Sequence, residues 1–190
     1  GAARGVARPA GVGGAPRLEC ARAVIASGGR AAVPPIPGLA EAGFLTNDTL
    51  FELTALPARF IMIGAGPIGC EMAQTFQRLG SRVTLVDAAP HILIREDADA
   101  AELLQHRFQA EGIELVLGAA GQRGRREGEA AGVTVEQAGR RRDLAGDALL
   151  VGVGRAPNTG GLNLEAAGVA YDKTGVRVNA LLQTPTPRVY

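Results

Sequence analysis

The sequence has no tryptophan, two cysteines, and no apolar run near the roughly 18 residues that a membrane span needs. Without such a run, and without a signal-peptide core at the N-terminus, the chain is expected in the cytoplasm with no membrane partner. Cys20 and Cys70 lie far apart, forming neither a C-x-x-C pair nor a metal-ligand spacing, so no metal is expected. Both read as buried, inert thiols, Cys70 on a helix just past a glycine turn. Charge of one sign is missing too. The 20 Lys plus Arg face 19 acids, for a net charge of +1. That balance gives no reason to expect a nucleic-acid, membrane or polyanion partner. Aromatics are 4% of the chain. None accompanies Arg123, Arg125, Arg126, Arg140, Arg141 and Arg142, and Glu127, Glu129 and Asp143 interleave with them. This stretch reads as solvated hairpin edges, not a nucleic-acid patch.

What is present is a globular chain: 190 residues, 46% hydrophobic, enough for one good core or two modest domains. With 27 glycines, a lone G-x-G-x-x-G would carry little weight. Here Gly64, Gly66 and Gly69 follow the apolar run Phe60–Ile63 and open an amphipathic segment. Asp87 closes the unit at the end of a second strand over Arg82–Val86. Strand, glycine turn, helix, strand and acid in that order form the dinucleotide fingerprint.

Each position has a physical role. Gly64 allows the tight turn, Gly66 lets a pyrophosphate approach the backbone, and Gly69 lets the helix pack close to the strand. Pro67 suits the first helical turn, whose free N–H groups and dipole attract phosphates. Ile68, Met72, Ala73, Phe76 and Leu79 recur at helical steps and predict one buried face, and Gly80 is a natural stop. The Asp87 carboxylate can bond an adenosine ribose and repel a 2′-phosphate, which favours NAD over NADP.

Around this unit the readings are simpler. Residues 1–20 read as loop or as a strand without neighbours, and Ala21–Ser27 as a short apolar strand. Pro34–Gly38 is an extended connector, and Thr46–Asp48 caps a short helical piece over Thr49–Leu53. Glu96 and Asp97 open a helix running to Gly112, and Ile113–Leu117 is a third strand, so β-α-β-α-β gives a parallel sheet. Gly121–Ala131 reads as an exposed turn. Val133–Glu136 and Arg140–Leu144 read as antiparallel strands about a Gln137-Ala138-Gly139 turn, and Ala148–Val153 as a further strand.

Two flanking strings add a resemblance. Val24-Ile25-Ala26-Ser27-Gly28-Gly29-Arg30 resembles the apolar–Ala-Thr-Gly strand end of two-dinucleotide flavoproteins, with Ser27 in place of Thr. Leu149–Thr159, with Gly154-Arg155-Ala156-Pro157-Asn158-Thr159, resembles their Gly-Arg-x-Pro-Asn-Thr crossing. With Gly64-Ala65-Gly66-Pro67-Ile68-Gly69-Cys70-Glu71 between them, the order is similar to the pyridine nucleotide–disulfide oxidoreductases. Pro34–Gly38, Leu45–Leu53 and Arg95-Glu96-Asp97 look closest to members like mercuric reductase and dihydrolipoamide dehydrogenase.

The resemblance implies an α/β chain: a Rossmann-like NAD(P)-binding domain with a parallel sheet and antiparallel β-meander, flanked by partial pieces of an FAD-binding domain. The expected division is 1–45 and 154–190 for the FAD-domain pieces and 46–153 for the nucleotide domain. It implies NAD on Gly64, Ala65, Gly66, Pro67, Ile68, Gly69, Glu71 and Asp87, with Gly154 near it, and FAD beside Ser27, Gly28 and Gly29. Hydride would pass between NAD(H) and flavin in a homodimeric parent. Glu71 matches a family glutamate that pairs with a lysine near the flavin, or is a solvated or capping helix acid. The family's first glycine motif, its redox cysteine pair and its dimerisation domain have no counterpart in the sequence. The chain is therefore expected to be an internal, inactive fragment. A flavoprotein reductase without the redox disulfide, or a non-catalytic NAD-binding module, are the alternatives.

Overall fold

The computed structural model describes residues 5–7 and 18–190. Contacts divide the chain into two compact units, Ala31–Gly154 and the combination of Gly1–Arg30 with Arg155–Tyr190. Most of the loop expected over residues 1–20 lies outside the described residues. At its ends Gly5–Ala7 (β1) pairs antiparallel with Leu18–Cys20 (β2). The apolar strand expected over Ala21–Ser27 is reduced to one parallel bridge between Ala23 and Val189. Its neighbour is a short stretch at residues 188–190, and Val24 stays 74% exposed, so no longer ladder forms. Gly29–Ala31 (β3) follows and leads into the larger unit.

In that unit Leu39–Ala42 forms a short helix (α1), and Leu50–Glu52 a single 3-10 turn held by Thr46 and Thr49 hydroxyls. Arg59–Ile63 (β4), Pro67–Leu79 (α2), Arg82–Val86 (β5), Ala98–Ala110 (α3) and Glu114–Val116 (β6) build the expected alternation. Ala119–Glu127 (β7), Ala130–Gln137 (β8) and Arg140–Gly146 (β9) form an antiparallel meander, and Ala148–Val151 (β10) returns to the parallel sheet. The sheet order is β10-β4-β5-β6, all parallel.

Alternation along the strands gives this sheet two buried faces. Phe60 and Met62 of β4, Val83 and Leu85 of β5 and Leu150 of β10 pack with Cys70 and Ala73 of α2 and Phe108 of α3. Ile61, Ile63, Val86, Leu149 and Val151 point the other way, into Val133 and Val135 of β8 and Leu144 of β9. Strands buried on both faces are therefore apolar throughout, as a covered parallel sheet requires.

Two expectations are corrected. The buried stripe of α2 runs through Gly69, Cys70 and Ala73, with Met72 and Phe76 half-buried, while Leu79 is 63% exposed. The helix ends one turn beyond the sheet contact, so its last leucine overhangs. The exposed turn expected over Gly121–Ala131 is instead mostly the strand β7, turning only at Gly128-Glu129. Its glycines serve packing: a Cβ on Gly121 would lie 2.5 Å from Ile36 Cδ1, and one on Gly124 2.5 Å from the Leu39 Cα. Gly124 also donates its N–H to the Pro37 carbonyl at 2.8 Å. The β8–β9 turn narrows to Ala138 and Gly139, both at positive φ (50° and 73°), as a two-residue hairpin turn demands.

In the smaller unit Arg155–Pro157 forms β11, Glu165–Ala167 a 3-10 turn, and Tyr171–Asp172 (β12) pairs antiparallel with Gly175–Val176 (β13). No helix among the described residues is long and apolar enough to cross a membrane.

Candidate functional site: the glycine turn and its cleft

At the end of β4 the chain turns at Gly64, with φ at 107°. A Cβ there would sit 2.5 Å from the Gly152 carbonyl oxygen, so both conformation and crowding require glycine. Gly69 is required by crowding alone. Its Cβ would fall 1.8 Å from the Gly64 oxygen, so the helix packs on the turn itself more tightly than on the strand, where Leu85 is 3.7 Å away. Gly66 differs from both. It caps α2 at φ −77°, which any residue tolerates, and a Cβ would meet nothing within 4 Å. The fold does not need a glycine there. Its missing side chain leaves open space over the helix N-terminus, where Pro67 takes the first position.

Asp87 is tied into the same turn. Its Oδ2 accepts the Ala65 N–H at 2.5 Å and its Oδ1 accepts the Ala89 N–H at 2.7 Å. The other side of Ala65 is held as well: its carbonyl accepts from the Leu93 N–H at 2.8 Å and from the Cys70 thiol at 3.3 Å. The segment after β5 is thus hydrogen-bonded to the glycine turn through both polar groups of one residue. Burial, reinforced by the Asp87 and Glu71 charges, pushes the Cys70 thiol up to about 12, so it stays protonated and donates. Cys70 is buried and inert, as its position suggested; Cys20 is half-buried.

A cleft of about 750 Å³ opens across the carboxyl ends of β4, β5 and β10, where doubly wound sheets bind ligands. Of the residues singled out in the sequence, Gly64, Gly66, Pro67, Ile68, Asp87 and Gly154 line it together. Ala65 and Gly69 are buried behind them. Glu71 is exposed on α2 and faces a separate hollow of about 440 Å³ with Gln74 and Glu96. The single lysine of the chain, Lys173, belongs to the other unit. Ser27, Gly28 and Gly29 also lie in the smaller unit. There Asn158 ties them down, donating from its side chain to the Ser27 carbonyl and from its backbone to the Gly28 carbonyl, both at 3.0 Å. Arg155 donates to the Gly29 carbonyl.

Glycine spacing did not point to the other half of the cleft, which is Ile36, Arg95, Ala119–Gly121, Val133 and Val135. Those residues arrive from the connector, the loop before α3 and the meander, and only folding collects them. Among the described residues no group of three or more His, Cys, Asp or Glu could hold a metal ion.

The chain matches the family model for pyridine nucleotide-disulphide oxidoreductases over residues 3–190. It is 39% identical over 175 residues to a mercuric reductase of Lysinibacillus sphaericus, covering 92% of this chain and 32% of the relative. A dihydrolipoyl dehydrogenase of Bacillus subtilis (strain 168) is 33% identical over 173 residues, covering 90% and 37%. Among solved structures, the HOCl-induced flavoprotein disulfide reductase RclA of Escherichia coli superposes with a TM-score of 0.83 at 32% identity. That match covers 94% of this chain and 41% of RclA. The chain spans about a third of the length of the curated relatives it matches. Sequence match, structural match and the architecture of sheet, meander and glycine turn agree: the chain belongs to the pyridine nucleotide-disulphide oxidoreductase family.

Proposed function

We propose that the Ala31–Gly154 unit is the NAD(H)-binding domain of an FAD-dependent oxidoreductase, and that it passes hydride between NAD(H) and flavin in the complete parent protein. The observation that carries this reading is the bare Gly66 position, whose conformation any residue tolerates but whose open space admits a diphosphate. The other features of the cleft fit the same ligand. The N-terminus of the 13-residue helix α2 brings a positive dipole end and free amide donors to the diphosphate. Asp87, half-buried at the end of β5, retains lone pairs for ribose hydroxyls after accepting from Ala65 and Ala89. Its charge also disfavours a 2′-phosphate, so NAD(H) is the preferred nucleotide. Gly152 and Gly154 keep the far wall low at the end of β10.

When bound, the nicotinamide supplies the hydride; the chain supplies position, a polar floor and exclusion of water. Ser27, Gly28 and Gly29, in the smaller unit, are proposed to contribute to the FAD site of the parent. Titrating NADH and NADPH against the 190-residue chain, followed by nicotinamide fluorescence, tests the reading. NADH should bind more tightly. Tighter NADPH binding would overturn the cofactor preference, and binding of neither would overturn the site.

A further inference from the structure

Arg95 is the only cationic side chain lining the cleft among the described residues. It is exposed, and no ion pair or hydrogen bond holds its guanidinium, although Asp87 and Glu96 line the same cleft. Asp87 is committed elsewhere, its two oxygens accepting the Ala65 and Ala89 amides. The other cleft-facing arginines of a basic chain would be expected to pair; Arg59, Arg78, Arg107, Arg125 and Arg142 of this same unit all do. Arg95 is also held close to the glycine turn through the backbone. Leu93, two residues earlier, donates to the Ala65 carbonyl at 2.8 Å, and Glu96 donates back to Leu93 at 2.9 Å, closing a turn around Arg95. The turn therefore places a planar, permanently charged donor fork on the cleft that Gly66 and Pro67 also line.

We propose that Arg95 is a phosphate-recognising residue of this cleft, its guanidinium pairing with a phosphate of the bound dinucleotide. The inference rests on the nucleotide reading above and adds to it a contact that the glycine fingerprint does not contain. Two phosphates have the required chemistry: the diphosphate shared by NADH and NADPH, and the 2′-phosphate that NADPH alone carries.

The test is to measure the dissociation constants of NADH and NADPH for the unaltered 190-residue chain, Arg95→Ala and Arg95→Lys. Arg95→Ala should weaken binding by about tenfold or more, and Arg95→Lys by less, because lysine keeps the charge but loses the fork. Equal losses for both nucleotides would assign Arg95 to the diphosphate, and a loss confined to NADPH would assign it to the 2′-phosphate. Unchanged affinity for both in Arg95→Ala would overturn the inference while leaving the nucleotide reading intact. Failure of the unaltered chain to bind either nucleotide would overturn that reading and the inference together. Arg95 is exposed and unpaired, so its replacement leaves the fold in place; an unshifted thermal midpoint confirms this for each variant.

Discussion

At the scale of single residues, the three glycines of the turn have separable roles. Gly69 belongs to the fold: a methyl group there would overlap the Gly64 carbonyl at 1.8 Å, and backbone on both sides leaves no flexible side chain to yield. Gly69→Ala should therefore lower unfolding free energy by at least about 3 kcal/mol, measured by urea denaturation. Gly66 belongs to the ligand. Gly66→Ala should change stability by less than about 1 kcal/mol yet weaken NADH binding by about tenfold or more, since the methyl group fills the open space. If Gly66→Ala bound NADH normally, that space would not be where the diphosphate sits. The spacing in the sequence located all three glycines and Asp87, because a strand, a tight turn and a helix follow one another along the chain. It could not show that Asp87 spends two hydrogen bonds on Ala65 and Ala89, since those bonds depend on how the segment after β5 folds back.

At the scale of elements, α2 and β5 were legible nearly to the residue. Gly66-Pro67 and Gly80 punctuate the helix, and the strand lies directly after it. β7 was not legible. Glycine and arginine are turn and surface residues in most contexts, and here they form a strand because Ile36 and Leu39 press against Gly121 and Gly124. Another device invisible in sequence joins the far ends of α2 and α3. Glu111, at the end of α3, receives Arg78 of α2 at 2.6 Å, Arg107 of its own helix at 2.5 Å and Gln74 at 3.2 Å. Arg78 above all, then Arg107 and Gln74, hold its carboxyl at about 2, against an ordinary value of 4.5. A depressed carboxyl in the folded state contributes stability that is fully present above the ordinary value. That contribution disappears as pH falls from about 4.5 towards about 2. Glu111→Gln removes the titration but keeps the shape. Its denaturation midpoint should lie below that of the unaltered chain at pH 7, and the gap should close across that acid window. A gap that persisted unchanged to pH 2 would show that the pair contributes no charge-dependent stability.

At the scale of the whole molecule, the sequence order already separated a nucleotide unit from flanking pieces, because two glycine-ended crossings bracket it. The contacts put the first division between Arg30 and Ala31. Pro34–Ala42 goes with the nucleotide unit because this connector and α1 cover β7, and Leu45 bridges Leu150 of β10. The unit Ala31–Gly154 holds both buried faces of the parallel sheet, the glycine turn and every residue that lines the 750 Å³ cleft. Nothing the proposed nucleotide site uses lies outside it. A chain of residues 31–154 should therefore fold by itself with a single cooperative thermal transition by circular dichroism. It should bind NADH with a dissociation constant within about threefold of the 190-residue chain, a difference under about 0.7 kcal/mol. Its size, near the commonest for a domain with its own core, supports independent folding. Residues 1–30 and 155–190 have the opposite character: two- and three-residue strands and exposed Val24, Leu181 and Leu182. A cooperative 31–154 chain that lost NADH binding would place part of the nucleotide site in the flanking residues. A chain that failed to fold would show that these residues complete the core of the larger unit.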